Sequence, residues 1–316
     1  MIDMYAALIR HDAEAWTGAL EAIGSDIHPV DREATRIWFA FFPLVRHLRT
    51  EHADEAAGQA DAAGVAGTPR LAEQAGTSHR FLYAHRYWPQ VKAAIQAWSG
   101  PASADLATTI GAIADAAGRT ARVDREMLLG IGAVLLMTLR QAGPQAFEVE
   151  APTIHLSHKA RAMSPHQVLR ARARDDSQGL FGFVRGARRR WSVTFDEADP
   201  SARFSLIDGQ TIAEAALADG RDYHSLDPRC APHAGPLPSG CGTDACGCWV
   251  GVLGGAGKLS PVDERERAQL RRACGYLDAL EERPLIRLAC QARAHGAISI
   301  VIPPWNVVAA TAPTRP

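Results

Sequence analysis

Two periodicities divide the chain. Up to about residue 150, apolar residues recur three or four positions apart in Ala-rich stretches such as Asp12 to Ile23 and Ala102 to Ala117, the spacing of one helix face. Breaks fall at Gly24–Pro29, Gly58–Pro69, Gly100–Pro101 and Gly143–Pro144. They leave room for about five or six helices. The aromatic residues Trp38, Phe39, Phe41, Phe42, Tyr83, Tyr87 and Trp88 read as core. Trp38 to Leu48 and Tyr83 to Ile95 echo each other, aromatic residues running into a Pro, and are expected to be two helices that each start near it. Met127 to Leu139 is a 13-residue run without charge. A membrane span needs ~20 apolar residues, so a buried helix is expected there.

From Trp191 the pattern switches to period two. Trp191 to Asp196 alternates, a turn follows at Glu197–Pro200, and Arg203 to Asp208 alternates again, which predicts a β-hairpin. Thr211 to Gly220 is a short helix opened by Thr and closed by Gly. Trp249 to Leu253 reads as a third strand. A charged helix is expected from about Pro261 with Ser260 as its N-cap, and Ala297 to Pro304 as a last strand.

Composition adds the class. The chain has 316 residues, 47% of them hydrophobic and 22% charged, which fits a folded protein of about two domains. The net charge of −1 steers nothing by itself. It conceals 13 basic against 18 acidic residues in 1–150, nine against two in 151–190, and 12 against 15 in 191–316. The expected division is a helical domain (1–150), a basic linker or docking arm (151–190), a third domain (191–308) and a tail (309–316). Within the arm, Leu180, Phe181, Phe183 and Val184 stand among glycines and arginines, as in a strip that docks on the chain's own domains or on a partner. One Arg cluster on a neutral chain does not define a nucleic-acid surface. Acidic residues near the N-terminus stand where a signal peptide carries bases, so a cytoplasmic location is expected.

The chemistry lies at the C-terminal end. All six cysteines follow residue 229, and in a reducing compartment they are read as metal ligands before disulfides. Cys241, Cys246 and Cys248 crowd one loop and Cys290 lies much later in an apolar setting, which suits a thiolate-held iron–sulfur cluster. A structural zinc site usually presents two separated Cys-x₂-Cys pairs, and that spacing is absent. Of the Rieske motifs only Cys230-Ala-Pro-His233 has a counterpart. Cys274, on the charged helix, reads as a packed thiol. His47 and His52, five apart, and His79 and His85, six apart, lack the three- or four-residue spacing of helical ligand pairs and read as core or surface residues.

With SGCGTDACGCWVGVLGGAGKLSPVDERE followed by IRLACQARAHGAISIVIPP, residues 191–305 resemble plant-type [2Fe–2S] ferredoxin domains, in particular those of corrinoid-activating proteins and of the sodium-translocating NADH:quinone reductase. The resemblance implies a β-grasp ferredoxin-like domain, which after the all-helical domain read from the periodicity gives an α+β chain. It implies Cys241, Cys246, Cys248 and Cys290 as the iron ligands. The first three are spaced Cys-x₄-Cys-x₁-Cys, one residue shorter than the family's pattern, a turn that Gly242 and Gly247 would permit. Cys230 is the substitute for Cys246. The expected function is one-electron transfer, with the helical domain docking the carrier on a redox partner protein, as a subunit of an oxidoreductase more than as a stand-alone enzyme. An assembly subunit with a structural cluster and a cluster-based redox sensor are the alternatives, and homo-oligomerisation stays open. No Gly-x-Gly-x-x-Gly or Gly-x₄-Gly-Lys is present for a nucleotide cofactor.

Overall fold

The computed structural model describes residues 2–41, 78–100, 105–148, 156, 158–175, 189–223, 235–237, 248–274 and 281–303, with backbone alone at 146, 158, 159 and 272–274. The protein is mixed α+β and divides into two units, Met1–His155 and Leu156–Pro316. Every described strand lies in the second unit.

The first unit is built around one helix. Its described elements are α1 (Ile2–Leu8), α2 (Ala13–Gly24), α3 (Pro29–Phe41), a 3-10 turn (Tyr83–Tyr87), α4 (Trp88–Gln96), α5 (Leu106–Ala121) and α6 (Arg125–Glu148). Asp12 and Asp105 start α2 and α5 by accepting the N–H groups of Ala15 and Thr108. Arg125–Gln145 has the length and composition of a membrane span. It is nevertheless the centre of the unit: α1, α3, α4 and α5 pack on it, and Leu128, Leu129, Ile131, Val134, Leu135, Leu136 and Leu139 are fully buried. The break expected at Gly143–Pro144 is a kink inside α6, where Gly143 has φ 79°. Of the two helices expected to start near a Pro, the second is present, and the one expected at Pro43 lies outside the described residues. Pro89 opens α4, and Trp38 to Phe41 belong to α3.

The second unit begins with two short helices, α7 (His158–Ala162) and α8 (Pro165–Ala171), so the first part of the basic segment packs with this unit. Leu180 to Val184 lie outside the described residues. Next come β1 (Arg190–Thr194), β2 (Arg203–Ile207), α9 (Ile212–Ala218), β3 (Trp249–Gly254), α10 (Glu264–Cys274), β4 (Ile286–Leu288) and β5 (Ile298–Val301). The sheet order is β2-β1-β5-β3-β4. β1 runs parallel to β5, and the other neighbours are antiparallel. The expected hairpin is β1–β2, in which Val193 and Phe204 pair and are buried. Thr211 caps α9 in a reciprocal box with Glu214. After β3 the chain turns at Gly255, whose φ of 84° favours glycine and where a Cβ would lie 2.8 Å from the Ala297 carbonyl oxygen.

One expected cap is wrong. The α10 helix starts at Glu264, and Asp263 accepts the Glu266 N–H at 2.7 Å. Ser260 instead ties two strand-end segments together: its Oγ accepts the Arg293 N–H and its carbonyl accepts from Arg287.

Candidate metal centre

Cys248 and Cys290 come together at one end of the β3–β4 pair. In the antiparallel register Trp249 faces Leu288, so Cys248 falls opposite Ala289. The Ala289 N–H donates to the Cys248 carbonyl at 2.9 Å, and Cys290 is the next residue. Cys248 is 1% exposed, and Cys290 is half-buried. The strand register and the turn after β4 thus bring two cysteines 42 positions apart in sequence to the same strand end. Cys230, Cys241 and Cys246 lie outside the described residues, as do His233 and the Cys274 side chain. Among the described residues no third His, Cys, Asp or Glu joins the pair.

The turn that carries Cys290 is held from three directions. Gln291 and Ala292 both donate their N–H groups to the Leu288 carbonyl at 2.9 Å, closing the turn on itself. The first amides of α9 reach into it: Ile212 donates to the Ala292 carbonyl and Ala213 to the Ala289 carbonyl. The third tie is a carboxylate. Glu266 accepts the Leu288 N–H at 2.8 Å and grips Arg287 with both oxygens, at 2.8 and 2.9 Å. Arg287 also donates to the Ser260 carbonyl at 3.0 Å. Both side chains are almost wholly buried, at 3% and 1% exposure. A buried charge persists only when paired and hydrogen-bonded, and this pair satisfies each other along the back of β4. The Gln291 side-chain amide lies 3.8 Å from Cys290 Sγ and donates to it, the kind of contact that tunes a metal-bound sulfur.

These supporting residues escaped the sequence reading. The signal was present: an arginine inside Leu285-Ile286-Arg287-Leu288-Ala289, and the acid-rich start of α10. A charge within an apolar strand must find a counter-charge, and Glu266 is the one in reach.

The histidine pair of the helical unit is core. His79 lies in a turn and His85 in the 3-10 segment, so they do not share a helix. His79 is fully buried and stacks on Trp88 at 3.6 Å between ring centroids, with 6° between planes. Neither of its ring nitrogens has a hydrogen-bond partner among the described residues, so burial drives its pKa well below the ordinary histidine value. His85 Nδ1 contacts the Leu82 carbonyl at 2.6 Å, and burial also lowers its pKa. His47 and His52 lie outside the described residues. Beside this pair, buried Asp31 accepts the N–H groups of Tyr83 and Ala84 at 2.6 and 2.7 Å, a cap supplied from 52 residues away.

No family model matches the chain, and no curated protein or solved structure matches it significantly.

Proposed function

We propose that the second unit is a β-grasp ferredoxin-like domain and that the chain is a one-electron carrier, or the redox subunit of a larger assembly, holding a [2Fe–2S] cluster. The observation that carries this reading is the juxtaposition of Cys248 and Cys290 by the β3–β4 register. The sheet supports it: the first and last strands lie side by side and parallel, β2 flanks the first and β3 the last, and α9 follows the first hairpin. The donor set fits the group, since two cysteines lie at one strand end among buried apolar residues, with an amide donor on the Cys290 sulfur. Cys241 and Cys246, with Cys230 as the substitute for Cys246, complete the four ligands. When bound, the cluster supplies a one-electron redox couple. The chain's own contribution is to fix Cys248 by the strand that starts after it, and to fix Cys290 through α9, Glu266 and the closed turn. The half-exposed position of Cys290 suits exchange with a redox partner protein, with the helical unit as the docking module, in the cytoplasm. Anaerobic purification from iron-replete cells should yield about two iron and two sulfide per chain with a reversible one-electron signal. Zinc without iron would refute the reading.

A further inference from the structure

A cleft of about 450 Å³ opens on the second unit between α8, the turn after it and the outer face of β1 and β2. Arg170, Arg174 and Arg203 line it together with the hydroxyl-bearing Ser192 and Thr194. Thr194 and Arg203 are cross-strand partners, so their side chains rise from the same face of the sheet, opposite buried Val193 and Phe204.

The charges around this cleft do not cancel. Among the described residues Arg170, Arg174 and Arg203 line it, and the neighbouring Arg172 and Lys258 each hold a carboxylate. Glu197 is taken by Arg172, whose guanidinium donates to both its oxygens at 2.8 and 2.9 Å. Asp175 is taken by Lys258 at 2.6 Å and also accepts the Ala297 N–H. Among the described residues no carboxylate pairs with Arg170, Arg174 or Arg203, and none lines the cleft. The backbone is bent to keep it so. Ala173 sits at φ 51°, a left-handed conformation that costs a non-glycine residue about 1 kcal/mol. Its N–H is held by Ser299 Oγ and its carbonyl by Lys258 Nζ. That bend sends Arg172 inward to Glu197, where it is 5% exposed, and leaves Arg174 exposed at the cleft.

We propose that this cleft binds a phosphate-bearing small molecule, its anionic end held by the three guanidiniums and the two hydroxyls. Guanidinium forks match phosphate oxygens two at a time, and three of them around one hollow call for an anion of two or more charges. The volume falls in the range of small-ligand sites. Ala173, Ala297 and Ile298 give it an apolar lining against which an organic portion can rest. The site lies apart from Cys248 and Cys290 in the lining residues it uses, and the inference does not depend on the electron-transfer reading.

The test is isothermal titration of the full chain with pyrophosphate, against potassium sulfate at equal ionic strength and against a Glu-rich decapeptide. Pyrophosphate should bind tighter than either. Arg174→Gln and Arg203→Gln should each weaken it about tenfold, the loss expected for one charge-assisted hydrogen-bonding partner. Arg161→Gln, an exposed base outside the cleft, should leave it unchanged. Circular dichroism of each variant guards against misfolding, and iron content is read separately. Pyrophosphate binding no tighter than sulfate, or an equal loss in Arg161→Gln, overturns the proposal. So does tighter binding of the decapeptide, which would assign the cleft to an acidic protein segment.

Discussion

Glu266→Gln tests whether the Cys290 turn depends on a buried charge. The substitution keeps the shape and one oxygen that could still accept the Leu288 N–H, but it removes the counter-charge of Arg287. Arg287 is then left as a cation with 3% of its side chain exposed and no counter-charge, its acceptors reduced to the Ser260 carbonyl and one neutral amide oxygen. Breaking a buried pair by neutralising one member costs roughly 3–5 kcal/mol, most of it the stranded charge. Two units need not unfold together, so a global melting temperature would blur the effect. Amide exchange followed by mass spectrometry reads it locally, on peptides covering 286–292 and 248–254. A loss of 3 kcal/mol should speed exchange there by roughly a hundredfold while the helical unit is unchanged. The double variant Glu266→Leu with Arg287→Met removes both charges and restores an apolar contact, so it should recover most of the protection. Exchange faster by less than tenfold in Glu266→Gln, or a double variant as labile as the single one, would show that the pair does not hold the turn.

Three further outcomes are expected. Cys248→Ser and Cys290→Ser should each abolish or severely destabilise iron binding, whereas Cys274→Ser should leave the visible spectrum unchanged. Cys246→Ser should lower iron content more than Cys230→Ser, and the opposite order would transfer that ligand role to Cys230. His79, desolvated by burial and with His85 and Arg80 nearby, has its folded pKa held well below the ordinary 6.5, so the unfolded chain binds protons first as pH falls. The helical unit should therefore be fully stable above about pH 6.5 and lose stability below it, with His79→Phe weakening the dependence; urea denaturation that is flat between pH 7.5 and 5.5 would contradict this. Asp31→Asn replaces a carboxylate that accepts two buried N–H groups, and should cost about 2–4 kcal/mol in the same assay, while an effect under 0.5 would show those amides find other partners.

What the sequence disclosed follows from how local each cause is. The hairpin, the α9 cap and the strand after Cys248 were legible because alternation, a Thr three residues before a Glu, and an apolar run act within a few residues. The buried helix was legible because a charge-free run too short to span a bilayer has few other places to go. Ser260 was misassigned as a cap for the same reason: a Ser before Pro and acids is a cap by local rules. Its hydroxyl is claimed by Arg293, 33 residues on, and Asp263 is left to start the helix. That His79 and His85 fall in a turn and a 3-10 segment is not legible, because nothing local marks a 3-10 turn opened by a carboxylate 52 residues upstream.

The same distinction governs the candidate metal centre and explains why its Cys248–Cys290 half is better specified than the cysteine spacing implies. A loop of closely set cysteines constrains a metal weakly, since any tight turn can bring such residues near one another. Cys248 and Cys290 are different. Their proximity depends on β3 and β4 pairing in one register, and a slip of one residue would turn every side chain of β4 to the other face. Arg287 blocks that slip. In the observed register it meets Glu266 behind the strand; shifted by one, it would stand without its counter-charge, at the several-kcal/mol cost of an unpaired buried ion. A charge pair that contributes little to net stability can still select one alignment among several, and here the alignment it selects is the one that brings Cys248 and Cys290 to the same strand end.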